Sequence, residues 1–410
     1  MRIHMFAIAV CSCLTANAQQ VAVNLEEAIE QALQKNKIVE AAAFDVAYQQ
    51  QIRRTATDVG KTSVVYMKGQ YNSYVKGDNN FTITQDIPFP TVFTSQIALG
   101  NSLVLGSELR KTATENELAF QVKQVYYQLV YLASREELLL RQDSIYNNFV
   151  KATELRYRAG ETRLLENTTA ESQRDEARNQ LAQTQADILV YQKLLESLMN
   201  SDQPVTIVIP ELTERRLILD PDTSSIWQNP QLAYIKQQIA IASAEKKVAA
   251  AKVMPDITIG YFNQTLIGTP VTENGSPATM SNRFQGFLAG IAIPLWFGPE
   301  AAKVNVANLK LRRTQSEYDY NRSLMEGRWR QAVQEYLKNK NSVNYYRSSA
   351  LLNAELMLNQ SELAFRNGEI NYTEYWLAIQ NSIRIRENYL QSLNNLNQSV
   401  VMLEFLAGLK

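Results

Sequence analysis

The sequence predicts a mainly α-helical chain with a small β-barrel contribution: duplicated long-helix coiled-coil hairpins plus four short strands. Three observations point there. Gly and Pro number only 15 and 11 in 410 residues, and these are the main helix breakers. Apolar residues keep a coiled-coil spacing over about 40 consecutive positions. The chain also repeats itself. Leu155-Arg-Tyr-Arg-Ala-Gly-Glu161 returns 208 residues later as Leu363-Ala-Phe-Arg-Asn-Gly-Glu369. Upstream, Ile87-Pro88-Phe89 aligns with Ile293-Pro294-Leu295, and Asn36 to Val39 aligns with Asn229 to Leu232. Three similarities in one order indicate a duplicated unit.

In chain order, residues 1–18 read as a secretory signal peptide. Met1-Arg-Ile-His4 is a short basic start, Met5 to Leu14 is apolar, and Ala16-Asn-Ala18 fits the small-x-small cleavage pattern. Residues 19–200 form the first repeat. A helical stretch over 24–60 opens it. Strands follow at about 62–75 and 80–88, the second alternating Phe81, Ile83, Gln85 and Ile87 with polar residues. A long helix is expected from about 91 to 159, roughly 100 Å at 1.5 Å per residue. Its seam runs Leu118, Val122, Val125, Leu129, Leu132, Glu136, Leu139, Asp143, Tyr146, Val150, Thr153 and Tyr157, with two acidic interruptions. The hairpin tip falls near 160–166, where Gly160 suits the left-handed end of a helix. The returning helix carries Ala170, Ala177, Leu181, Ile188 and Leu195.

Residues 201–223, with Pro204, Pro210 and Pro221 around an apolar Val205 to Ile209, read as a linking segment with a short strand beside the helices. Residues 224–410 form the second repeat. Its helix opens at Pro230, its strands lie at about 256–267 and 283–293, a long helix runs from about 299 to 366, and the tip lies near 368–374 around Gly368.

Composition narrows the function. Lys+Arg and Asp+Glu both number 41, so net charge is zero and no basic footprint for nucleic acid is present. Cys11, Cys13 and the single histidine, His4, all fall in the expected signal. The remainder would hold no thiolate, no Cys/His zinc site and no Ser-His pair. We therefore expect no enzyme and no cofactor. No later stretch reaches the roughly 18 apolar residues of a membrane helix, which leaves a periplasmic, secreted or β-barrel protein. Four strands cannot close a membrane barrel alone, since the smallest have about eight. Closure by several copies would remove the open edges.

At this point the chain resembles the TolC outer-membrane efflux family. The resemblance rests on the duplicated plan, on Asn229-Pro-Gln-Leu232, on the Ile-Pro strand exits at 87–89 and 293–295, and on the tips Tyr157-Arg-Ala-Gly-Glu161 and Phe365-Arg-Asn-Gly-Glu369. It implies a homotrimer in the outer membrane, with a twelve-stranded barrel in lipid and a periplasmic helical tunnel. Its partners would be a periplasmic adaptor and an inner-membrane pump of the RND type. The resemblance also implies that acidic residues after each tip glycine line the periplasmic aperture: here Glu166 after Gly160, and Glu374 after Gly368. Arg163 could pair with Glu166 or Asn167 as a latch. Tyr157, Arg158, Glu161, Phe365, Arg366 and Glu369 would face the adaptor. The sequence departs from the family pattern at Asn36-Lys-Ile-Val39, which lacks the usual proline, and it has no C-terminal extension. The stretch Thr84-Gln-Asp-Ile-Pro-Phe-Pro90 looks closer to heavy-metal efflux channels than to drug-pump channels. Drug efflux and type I protein secretion are the alternatives.

Overall fold

The computed structural model describes residues 21–70, 74–208, 211–218, 223–269 and 275–410. The expected signal, 1–18, lies outside them, as do parts of the linking segment and of the polar loop at 268–282. The described chain forms two compact units. Of the described residues, one takes in those up to 39, from 115 to 218 and from 329 to 410; the other takes in those from 40 to 114 and from 223 to 328. Each unit thus draws on both sequence repeats.

The first unit is helical. Strand β1 (Val21–Val23) leads into α1 (Leu25–Lys35), which Asn24 and Glu27 start with a reciprocal capping box. The helix expected over 24–60 breaks at Asn36. This residue is extended (ψ 129°), its Oδ1 accepts from the Ile38 amide, and its Nδ2 donates to the Leu198 carbonyl at 2.8 Å. A new helix, α2 (Lys37–Arg54), then begins. The aligned Asn229 does the same for α5 (Pro230–Ala251), accepting from the Gln231 and Leu232 amides. An asparagine cap therefore serves the first repeat without the proline that follows it in the second, because the side chain satisfies the helix's free amides.

Helix α3 (Pro90–Arg158) is 69 residues long and α4 (Leu164–Met199) follows it. Of the expected seam, Leu118, Val122, Val125, Leu129, Leu132, Leu139, Tyr146, Val150 and Thr153 are buried, while Tyr157 is exposed. The two acidic interruptions are where α4 attaches. Gln185 donates to Glu136 at 2.8 Å and Arg178 to Asp143 at 2.8 Å. The falling partner numbers make α3 and α4 antiparallel.

Helix α8 (Tyr372–Leu406) also runs antiparallel to α3. Asn116 pairs with the Phe405 carbonyl, Gln124 with Gln398, Gln128 with Asn394, Tyr131 with Gln391 and Tyr146 with Trp376. Strand β4 (Val205–Ile207), within the linking segment, pairs in parallel with β1, Val21 opposite Val205. That partner was not expected from sequence.

The second long helix has the expected extent but is not α-helical throughout. Helix α6 (Phe297–Tyr345) passes through a π-helical turn, Tyr346–Ala350, into α7 (Leu351–Arg366). Arg347 within the turn donates to Glu214 at 3.1 Å and also bonds Tyr389 of α8. These side-chain partners hold the wider turn.

The second unit holds a four-stranded antiparallel sheet in the order β2-β3-β5-β6. The strands are β2 (Ser63–Lys68), β3 (Asn79–Ile87), β5 (Asp256–Gln264) and β6 (Phe284–Ala292). Strand β2 is shorter than the expected 62–75. Gly69 turns the chain out with φ +131° and its amide bonds the Asp78 carbonyl. Strand β5 stops before 267 because the buried Asp78 carboxylate accepts from the Thr265 hydroxyl and the Ile267 amide. Helices pack closely here: a methyl at Gly106 would meet Ile241 at 2.9 Å. Among the described residues no helix is long and apolar enough to cross a membrane.

Candidate functional site

The sheet has two chemically different faces, fixed by register. One cross-strand row joins Val64, Ile83, Tyr261 and Phe287. The next joins Tyr66, Phe81, Asn263 and Gln285. Towards the strand exits the same face carries Gln85, Ile259 and Ala289, then Ile87, Ile257 and Ile291. Most of these apolar side chains are exposed, Phe287 by 87% and Ile291 by 69%. The opposite face is mixed, with polar residues and glycines between Val65, Met67, Phe262, Phe284 and Leu288. Its rows join Ser63, Thr84, Gly260 and Leu288; Val65, Thr82, Phe262 and Gly286; and Met67, Asn80, Gln264 and Phe284. Below them Asp86 lies opposite Thr258, whose hydroxyl donates to its carboxylate.

An exposed apolar face on a sheet with two unpaired edges, β2 and β6, is unstable in water. It is stable in lipid once the edges close. The aromatics cluster towards the loop end, with Tyr66, Phe81, Tyr261 and Phe287. At the other end, just beyond β6, Leu295, Trp296 and Phe297 are exposed. Aromatic girdles at both ends of an aliphatic band are the pattern of membrane strands.

The hairpin tips lie in the helical unit and share one construction. Gly160 and Gly368 have φ +77° and +76°. The Glu161 amide bonds back to Arg156 and the Glu369 amide to Ala364, closing each helix end in the same way. Glu166 and Glu374 each occupy the third position of the following helix. Glu374 accepts from the Asn371 amide at 3.0 Å while Asn371 accepts from the Glu374 amide at 3.0 Å, a full capping box. Glu166 accepts from the Thr162 hydroxyl. Both carboxylates thus hold first turns, where negative charge is favoured by the helix dipole.

The two tips meet through Tyr372, whose hydroxyl donates to the Glu166 carbonyl at 3.0 Å. Burial, with Glu166 nearby, pushes the Tyr372 hydroxyl pKa up to about 12. Among the described residues no bond joins Arg163 to Glu166 or Asn167, the partners expected of it as a latch. Arg163 is exposed at the cap of α4, without a side-chain cap bond. The Glu166 carboxylate is taken by Thr162, and Asn167 bonds Thr153 and Glu171 instead.

The other expected tip residues divide by burial. Tyr157 is exposed. Arg158 pairs with Glu154 along its own helix, Arg366 likewise with Glu362, and Glu161 lies 3.9 Å from Arg156. Glu369 accepts from Asn367. Phe365 is buried, stacked on Tyr375 at 4.6 Å with the Arg156 guanidinium 4.6 Å from its ring. It belongs to an aromatic knot that the sequence reading missed. Phe149 stacks on Tyr372 at 4.9 Å and on Trp376 at 5.4 Å. The signal was present in the helical spacing of Tyr372, Tyr375 and Trp376. Among the described residues no group of three His, Cys, Asp or Glu is placed to hold a metal ion.

No known family's sequence profile matches the chain, and neither does any curated protein. Solved structures do. CusC, described for transmembrane channel formation, superposes with a TM-score of 0.78 at 14% identity, covering 95% of this chain and 94% of that one. The outer membrane protein VceC of Vibrio cholerae gives 0.77 at 16%, covering 94% and 96%. The outer-membrane channel OprN gives 0.76 at 16%, covering 94% and 89%. At such identity the likeness is one of fold, and this chain has that fold over nearly its whole length.

Proposed function

We propose that the chain is one subunit of an outer-membrane exit duct, a passive channel rather than an enzyme. The observation that carries this reading is the two-faced, open-edged sheet. Its apolar face fits lipid, and the opposite face, which carries Ser63, Thr82, Thr84, Asp86, Asn80, Thr258 and Gln264, fits a watery lumen. Three copies joined edge to edge would supply twelve strands, comfortably above the minimum of about eight for a closed barrel. The likeness to outer-membrane channel structures supports the same reading. The helical hairpins would then form the periplasmic tunnel.

The proposed partners are a second and third copy of the chain, outer-membrane lipid, a periplasmic adaptor and an inner-membrane pump of the RND type. The adaptor would meet the tips around Tyr157, Arg158, Glu161, Arg366 and Glu369, with Phe365 as the buried support beneath them. Glu166 and Glu374 would place six carboxylates at the tunnel entrance of a trimer and favour cations. Heavy-metal cations are the cargo this arrangement suits.

Envelope protein extracted in detergent should have a mass near three subunits by light scattering, and should give conductance steps in planar bilayers. A water-soluble monomer would overturn the reading. Deleting the gene and testing growth on copper, silver, zinc, cobalt, detergents and dyes identifies the cargo. Sensitivity to dyes and detergents alone would replace metals by organic compounds and leave the duct intact.

A further inference from the structure

Phe262 and Gly286 are direct cross-strand partners on the mixed face of the sheet, the one that carries Thr82, Thr84 and Asp86. The Phe262 ring lies over the glycine. A Cβ added at Gly286 would stand 2.7 Å from the ring's Cε1 and 2.8 Å from Cζ. Real Cβ atoms do not approach carbon so closely, so any side chain at 286 must lift the ring off the wall. Gly260, Gly286 and Gly290 all lie on this face and alternate with the larger Phe262 and Leu288. Covering a glycine with a neighbouring aromatic is a known device for stabilising a strand that lacks a side chain. Here it also decides how far the ring projects.

We propose that Phe262, folded against Gly286, sets the bore of the lumen and so the size of solute the duct passes. The proposal rests on the exit-duct reading, in which this face lines the channel. A closed barrel would carry one such ring per subunit at the same height. Rings lying along the wall keep that level wide. Rings lifted from it would converge and narrow it, and pore width is a direct determinant of passage. The site lies on the loop side of Gly260 and Thr258, so anything entering from the loop end must pass it to reach Thr258.

The test uses that order. Thr258→Cys is introduced into the full chain, whose own cysteines are Cys11 and Cys13. Intact cells are treated from outside with maleimide-polymers of graded mass, with the unmutated chain as blank. The expected result is a lower size cut-off for Gly286→Ala and a higher one for Phe262→Ala. The double variant should return at least to the parent cut-off, because the added methyl is harmless once the ring is gone. A small maleimide should label all of them alike, which reports assembly. An unchanged cut-off in Phe262→Ala and in an assembled Gly286→Ala overturns the role of the ring and leaves the duct standing. If Thr258→Cys resists even the small reagent while Ile259→Cys reacts, the faces are reversed and the duct reading falls with it.

Discussion

Lys123 on α3 and Glu404 on α8 meet at 2.7 Å with side chains only 4% and 6% exposed. Arg215, from the segment between β4 and α5, closes on the same carboxylate with bonds of 2.8 and 3.0 Å and donates to the Tyr127 hydroxyl. One buried carboxylate therefore holds two cations and three parts of the chain. Removing one member of such a group leaves uncompensated charge, costing about 3–5 kcal/mol. Glu404→Ala should sharply reduce the yield of folded protein and lower its unfolding temperature. A variant that unfolds like the wild type would show that water enters and solvates Lys123 and Arg215.

The tip carboxylates separate a structural from a functional role. Gln can replace Glu at the third position of a capping box. The double variant Glu166→Gln, Glu374→Gln should therefore fold and insert normally. Reversal potentials under a salt gradient should show a weaker preference for cations. Full retention of selectivity would make both residues helix-start supports only.

The aromatic knot is expected to hold the two tips together. Truncating a buried Phe or Trp typically costs about 3–5 kcal/mol. Trp376→Ala, which strips the partner of both Tyr146 and Phe149, should expose the hairpin ends to limited proteolysis near Gly160 and Gly368. Wild-type resistance to cleavage there would mean that the knot fills space without fastening anything.

Glu387 on α8 gives a pH prediction. Burial raises its carboxyl pKa above the ordinary value, and Arg135 opposes this only in part. A raised folded pKa means that the folded chain binds the proton more readily than the unfolded one. Stability from this group thus falls as pH rises from the ordinary carboxylate range through the raised value. Glu387→Gln should raise the unfolding temperature at pH 7, and the gain should vanish at pH 4. A gain independent of pH would point to packing rather than charge.

The sequence makes the long elements legible because their signals are local and repeated. The 4-3 seam from Leu118 to Thr153 is buried much as its spacing implies, and Gly160 and Gly368 turn the chain where expected. The alternation of Ile83, Gln85 and Ile87 finds its sheet within a residue or two. What stayed hidden depends on partners far along the chain. The β1–β4 pair joins Val21 to Val205; the apolar run at Val205 announces β4, but the three-residue β1 carries no signal of its own. Lys123 reads as a surface lysine beside seam residue Val122 until Glu404 is placed against it. The tip acids were visible by position, yet their bonds to Thr162 and Asn371 follow from helix-start geometry.

The π turn at Tyr346–Ala350 changes the phase of the rod that contains it. Up to the end of the turn, buried positions follow one frame: Trp329, Ala332, Tyr336, Asn339, Val343 and Ala350. That frame next calls for position 353, but Asn353 is exposed and Ala354 is buried. The turn has absorbed one extra residue, so the helix beyond it is counted from a new origin. In genetic terms a single codon is accommodated there without being spread along the rod. Deleting one residue between 346 and 350 would make the helix uniform and leave the face beyond it in place, with Phe365 still on Tyr375. The same deletion made beyond the turn would rotate everything after it by about 100°, so the turn is the one stretch of this rod where the second tip tolerates a change of length.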